Sequence, residues 1–266
     1  MTRVVELTPA DFERVSPVLA SLSKSNLESG VWRRLFAAAK TTELRVENYG
    51  IEIDGKIKGF MSHVISERDV EGKRYKFLNQ STWVVEKEAR GKSLELFRLC
   101  ERLSDHIVTN LTPSENVIKL ITRLGFQAFE TEAVLIPPLP GFRSRIVRQD
   151  ADEAVRTHAA FGAPIHKLAD AGGAVVVYGH LIKRRRLKFF VCDRLSVGAD
   201  VNLNHLAFKL LIAFGAVGLI VDRRFLTANC AYRAIKTLPR RRFLRGNLTP
   251  PTLSDNLFTE LSLLGL

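Results

Sequence analysis

Cysteine is scarce in this chain: three in 266 residues, at Cys100, Cys192 and Cys230. None forms a C-x-x-C pair, and an odd count argues against a disulfide framework. The expectation is a reducing, cytoplasmic setting with all three as small buried hydrophobes. A leader-like start is also missing, since residues 1–6 carry charge early and no apolar core follows. Long apolar runs are absent too. The most apolar stretch, residues 206–221, is shorter than the ~20 residues a spanning helix needs. It holds Lys209 and is interrupted by Gly215 and Gly218. It predicts a buried helix followed by a buried strand. The six histidines show no metal-ligand spacing, so no metal is expected. There is neither a G-x-x-x-x-G-K-[ST] loop nor a three-glycine dinucleotide fingerprint.

The second half lacks acidic residues. Residues 1–140 hold 20 basic and 19 acidic side chains, whereas residues 141–266 hold 20 and 9. Nearly all of the formal net charge of +12 therefore belongs to the second half. That predicts an anionic partner: a phosphate-bearing substrate, a membrane surface or nucleic acid. A solvated basic face fits the same composition. The densest runs are Lys183-Arg184-Arg185-Arg186, and Arg240-Arg241-Arg242 with Arg245. Few aromatics interleave with them (Phe189, Phe190, Phe243), so single-stranded nucleic acid ranks last.

What is present is the composition of a protein with a core. The hydrophobic fraction is 46%, and the length suits two modest domains. The first half reads as a strand at residues 4–7, helices over 8–23 and 28–40, and strands over 49–53, 57–66 and 75–85. A helix over 93–104, a strand over 106–110, a further helix and a strand over 127–136 follow. Asp54-Gly55 is a hairpin signal. Thr112-Pro113-Ser114-Glu115 has capping-box spacing with proline at the first helical position. Pro137-Pro138-Leu139-Pro140-Gly141 is the clearest break, and it divides the chain into residues 1–140 and 141–266.

The second half reads as a helix over 150–161 and a strand over 174–181 after Gly172-Gly173. A basic turn at 183–186, a strand over 187–193, a helix over 203–214 and a strand over 216–221 come next. A helix over 227–238 and strands over 240–245 and 257–264, around Pro250-Pro251, complete it. The two halves repeat nearly one element order. The predicted class is α/β: two copies of one architecture, each a mixed, largely antiparallel sheet flanked by helices.

Chemistry concentrates in residues 77–126. There a strand leads into Arg90-Gly91-Lys92-Ser93, which opens a helix. A helix start offers unpaired N–H groups and partial positive charge, and phosphate is its usual guest. A plain loop with two solvated cations reads equally well. The preceding strand is unusually polar, with Asn79, Gln80, Ser81 and Thr82 in succession. Asn79 and Ser81 could hold a water that relays a proton, and they suit plain structural hydrogen bonding as well.

The order of these pieces resembles the acyl-CoA-binding core of the GNAT acetyltransferases. The resemblance runs over residues 4–137 and includes the helix ending Arg123-Leu124-Gly125-Phe126. It implies that Arg90, Gly91, Lys92 and Ser93 hold a coenzyme A pyrophosphate, and that the backbone at Val84 and Val85 pairs with the pantetheine arm. Asn110 and Ser114 fall at the matching end of the fifth strand and start of the next helix. The pattern R-G-x-G-x-G/A is met only in part, because Ser93 and Glu95 stand at its later glycine positions. Ile121 stands where the family carries its tyrosine acid, and the fourth strand lacks the frequent carboxylate. By element order the second half resembles a degenerate second copy. The implied activity is transfer of an acetyl or other acyl group from acyl-CoA to an amine, or a hydroxyl, of an anionic small-molecule or lipid-linked sugar acceptor. The competing expectation is a non-catalytic protein of the same fold that binds polyanions or a membrane surface, peripherally, through its basic half.

Overall fold

The computed structural model describes residues 1–22, 29–37, 41, 43–70, 72–141, 146–149, 152–170, 175–198, 200–246 and 255–266. The first half supplies β1 (Thr2–Leu7), α1 (Phe12–Ala20), α2 (Ser29–Trp32), β2 (Leu44–Ile53), β3 (Lys56–Val70) and β4 (Lys73–Val85). After them come α3 (Ser93–Arg98), β5 (Ile107–Asn110), α4 (Glu115–Arg123) and β6 (Gln127–Ile136). The second half supplies β7 (Ile146–Arg148), α5 (Glu153–Ala160), β8 (His166–Asp170), β9 (Val175–Arg184), β10 (Leu187–Val197) and β11 (Val201–Asn202). It ends with α6 (Leu203–Phe214), β12 (Ala216–Asp222), β13 (Cys230–Ala231), β14 (Lys236–Arg245) and α7 (Glu260–Leu264).

Among the described residues twelve strands form one sheet, in the order β1-β2-β3-β4-β5-β14-β6-β12-β10-β9-β8-β7. The halves interdigitate at its centre. β14 lies between β5 and β6, and β6 lies between β14 and β12. Most ladders are antiparallel. The exceptions in this sheet are β4 with β5 and β10 with β12, one parallel pair in each half.

The local chemistry accounts for most elements. β2 and β3 join through Asp54 and Gly55, whose φ angles of +49° and +80° are those of the two-residue turn that favours Asp-Gly. β3 sends Phe60 and Val64 to one face and Met61 and Ile65 to the other. Both faces are covered, so its apolar pattern is nearly continuous. On one side α1 presents Phe12, Val15, Val18 and Leu19. On the other, Leu96, Phe97 and Ile121 pack from α3 and α4. Each such buried side chain contributes about 1.5–3 kcal/mol. In the second half Leu203, Leu206, Ala207 and Leu210 of α6 lie against Phe190 and Leu219. The Asn202 side chain caps α6, and Gly215, at φ +70°, ends it. The three cysteines are buried and unpaired. Among the described residues no helix is long and apolar enough to cross a membrane.

Several expected elements differ. Residues 227–238 form no helix. Asn229 O accepts from Val201 N, β13 pairs with β11, and Ile235 N donates to Leu135 O as β14 begins. The Asn204 side chain also clamps both backbone groups of Arg233. Pairing across the chain overrides the local helical period there. Residues 257–264, expected as a strand, contain α7, capped by Thr259 and ended by Gly265 at φ +68°. The expected helix over 93–104 is a six-residue α3 preceded and followed by 3₁₀ turns, at Lys87–Lys92 and Leu99–Arg102. α2 likewise continues as a 3₁₀ turn, Arg33–Phe36. The cap of α4 is Ser114, not Thr112, so Pro113 stands before the cap and outside the helix. β7 and β8 lie at the far edge of the sheet, where no strand was expected. Gly172, Gly173, Pro250 and Pro251 lie outside the described residues.

Candidate functional site

The parallel pairing of β4 with β5 lasts three residues: Phe77 beside Ile107, Leu78 beside Val108, and Asn79 beside Thr109. Beyond that point the strands part. β4 also bulges against β3: Ser81 faces Ser62 and Val84 faces Phe60, which leaves Thr82 and Trp83 against the single residue Met61. Thr82 sits at φ +54°, a left-handed conformation costly for a β-branched side chain. The gap opens into a cavity of about 610 Å³. β4 lines it with Gln80, Thr82 and Trp83, the turn after α1 with Leu22, and α2 with Trp32. The start of α4 adds Pro113, Ser114 and Val117, and the C-terminal segment adds Glu260 and Leu264.

Glu260 is the functional candidate that the residue pattern hid. It is the first residue of α7, yet its side chain is only 1% exposed. Its backbone N–H donates to Asn79 Oδ1 at 2.8 Å. Its Oε1 accepts from Thr112 Oγ1 at 2.7 Å. The Ser81 hydroxyl and the Thr82 amide also reach the carboxylate. Burial raises its pKa above the ordinary carboxylate range, against the opposing pull of those donors and of the Arg242 charge. A buried, oriented carboxyl with a raised pKa is suited to accept a proton from an amine.

The expected site residues divide into two groups. Asn79, Ser81, Asn110 and Ser114 converge on this gap. Asn79 gives its amide oxygen to Glu260 and its Nδ2 to Thr109 O at 3.4 Å, so it anchors α7. Ser81 Oγ lies 2.9 Å from Thr82 Oγ1 as well as contacting Glu260. Asn110 lines the cavity, and Ser114 lines it while accepting from Val117 N. Val84 and Val85 direct their side chains into the core, so only their backbone is available. Glu86 N donates to Lys58 O of β3, and strand alternation turns the Val85 N–H to the opposite, parted edge.

Arg90, Gly91, Lys92 and Ser93 do not line the cavity. They sit at the 3₁₀ turn and the start of α3. Arg90 and Gly91 are exposed. Lys92 pairs with Glu95, and Ser93 Oγ donates to Arg90 O at 2.8 Å. A Cβ added at Gly91 would meet no protein atom, so packing does not demand glycine there and the approach is open. Glu86, Glu88 and Glu95 balance Lys87, Arg90 and Lys92, so residues 86–95 carry no net charge. The position of the missing tyrosine, Ile121, is fully buried in the core.

The second half repeats the geometry with a different outcome. β10 and β12 pair in parallel from Lys188 beside Ala216 to Val191 beside Ile220. β10 then bulges between Cys192 and Arg194. Here the gap is filled by the chain itself. Asn256 N donates to Asp193 O at 2.7 Å, and Asn256 Nδ2 donates to Asp222 Oδ2 at 2.8 Å. Asn256 Oδ1 accepts from Arg242 at 2.9 Å and from Arg224. Among the described residues, Asn256 thus ties the end of β10 to the end of β12.

No protein-family model matches the chain, and no curated protein does. Solved structures do. A proposed acetyltransferase from Pyrococcus horikoshii superposes at TM-score 0.60 and 12% identity, over 96% of this chain and 92% of its own. A tandem GNAT protein from the clavulanic acid biosynthesis pathway superposes at 0.59 and 9% identity, over 94% and 100%. A GCN5-related N-acetyltransferase from Kribbella flavida superposes at 0.57 and 15% identity, over 92% and 71%. The protein has a tandem GNAT-like fold.

Proposed function

We propose that the cleft between β4 and β5 transfers an acyl group, acetyl or longer, from an acyl-CoA to an amine. The observation that carries this reading is the buried Glu260 carboxyl, held in the cleft beside the bulged amide of Thr82. The pantetheine arm would lie along the parted edge of β4, where the Val85 N–H is free to donate. The acceptor nitrogen attacks the thioester carbonyl, a C–N bond forms, the C–S bond breaks, and the ammonium proton passes to Glu260. The thiol leaves as thiolate, because the position of a tyrosine acid holds Ile121. The anionic acceptor expected from composition finds no lysine or arginine among the described cavity-lining residues. Thiol release should be measured against acyl-CoAs of several chain lengths and a panel of amines. Calorimetry with the same acyl-CoAs should show a modest loss of affinity for Arg90→Ala, since Arg90 is exposed and beyond the cavity. No acyl-CoA binding at any chain length would overturn the reading.

A second reading, polyanion or membrane binding without turnover, is favoured by the hairpin between β9 and β10. Residues 183–188 are consecutively exposed and comprise five cations and Leu187, itself 50% exposed. Among the described residues no carboxylate pairs with any of these cations. Co-sedimentation with anionic vesicles that weakens as salt rises, together with no thiol release from any acyl-CoA, would replace the first reading by this one.

A further inference from the structure

We infer that the acceptor is a primary amine on an uncharged, mainly apolar body, admitted with its nitrogen toward Glu260. This rests on the acyl-transfer reading and narrows its substrate. Three features of the cavity converge on it.

The first is charge. Among the described residues that line the cavity, Glu260 carries the single charged side chain. The neighbouring cations are engaged elsewhere. Arg34 donates to Leu263 O, Arg68 pairs with Asp255, and Arg242 pairs with Asp222. An acceptor with a phosphate or carboxylate would bring a second negative charge to a buried one with no cation to offset it. An ammonium would instead meet a partner already held in place.

The second is the hydrogen-bonding capacity of the walls. Ser21, Gln80, Thr82, Thr112 and Ser114 already bond within the protein: to Val18 O, Phe97 O, Ser81 Oγ, Glu260 and Val117 N respectively. The lining polar groups without a protein partner among the described residues are the Asn110 amide, Gln80 Oε1 and Trp83 Nε1. A sugar would lose water from several hydroxyls and find these few groups to bond in exchange. The third is the apolar part of the lining. Leu22, Trp32, Pro113, Val117, Leu264 and Leu266 give it an aromatic and aliphatic character suited to a ring or alkyl body.

The chain has two tryptophans, Trp32 and Trp83, and both line this cavity. Intrinsic fluorescence therefore reports occupancy directly, without acyl-CoA and without turnover. The full chain should be titrated with phenethylamine, with phenethyl alcohol as its uncharged match, with phenylalanine as its carboxylated match, and with glucosamine phosphate. The expected result is saturable binding of phenethylamine, tighter than each of the other three by about tenfold or more. Glu260→Gln should close the gap between amine and alcohol. Leu22→Lys, partly buried in the turn after α1, should weaken the amine by about tenfold or more and spare the fold. Equal or tighter binding of phenylalanine or glucosamine phosphate would overturn the inference, as would no saturable response to phenethylamine. Failure of the parent reading looks different. Phenethylamine would still bind, and no thiol would be released with any acceptor.

Discussion

Replacing Glu260 with glutamine should make the protein more stable and nearly inactive at once. The Glu260 carboxyl is buried and its pKa is raised, chiefly by loss of solvent. The charged form is therefore less favourable in the fold than in water. Glutamine keeps the shape. Its oxygen can accept from the Thr82 amide, and its NH₂ can donate to the Thr112 hydroxyl, which is able to accept. The backbone bond from residue 260 to Asn79 is untouched. Removing the buried charge should stabilise the fold by about 1 kcal/mol, which in a chain of this size raises the melting temperature by roughly 2–4 °C. Removing the proton acceptor should lower turnover by about 10²–10⁴.

The pH dependence fixes the sign. A carboxyl whose folded pKa lies above its unfolded value favours folding below the unfolded value, and that contribution is lost as pH rises through the folded pKa. Wild type and Glu260→Gln should therefore melt together in acid and separate as pH rises, with the variant higher. Scanning fluorimetry across pH and a thiol-release assay together test this. A variant that melts lower at neutral pH and keeps turnover within about threefold would make Glu260 a structural clamp, and the base assignment would fail.

Three other outcomes follow from the same structure. Asp255→Ala leaves the buried Arg68 guanidinium, now 3.2 Å from the aspartate, without its carboxylate, so urea unfolding should show a loss of about 3–5 kcal/mol. His63 is buried against Tyr49 and its pKa is pushed down to about 4 by burial. A base with a depressed folded pKa adds stability above its unfolded value and loses it as pH falls. Stability should thus drop by up to ~3 kcal/mol from pH 6.5 toward 4, and His63→Leu should abolish that part of the drop in a pH series of denaturation curves. Arg185 and Arg186 hold φ angles of +50° and +76° in their turn. Substituting Asn-Gly there should raise stability by about 1 kcal/mol, and a fall in vesicle retention would assign the hairpin a membrane role.

Much of the frame was legible because local and global preferences agree. The Asp54-Gly55 turn, the whole of β6 over residues 127–136 and the whole of α6 over residues 203–214 follow from turn chemistry and period alone. The site was half legible. Asn79, Ser81, Asn110 and Ser114 stand on the strand ends where the gap opens, and the polar run in β4 marked it. Glu260 was not legible, because it lies 181 residues from Asn79 and arrives from the other half. Its helix has five residues, and its capping partner is Ser262, not a glutamate or glutamine, so the usual start signal is weak. Nor could any local pattern show β14 entering between β5 and β6, since that pairing depends on the whole chain.

The same short segment explains why the two copies differ. Residues 255–257 pass through the gap between β10 and β12, where Asn256 bridges Asp193 and Asp222. Four residues later Glu260 enters the gap between β4 and β5, anchored by Asn79 and Thr112. In the second half the segment supplies the Asn256 backbone N–H to Asp193 O and its side-chain amide to Asp222. In the first half it supplies a carboxyl to one side of the gap and leaves a cavity on the other. Under the proposed acyl transfer, Glu260 would stand in for the carboxylate that β4 lacks. The ties across the second half and the chemistry proposed for the first thus meet within residues 255–260.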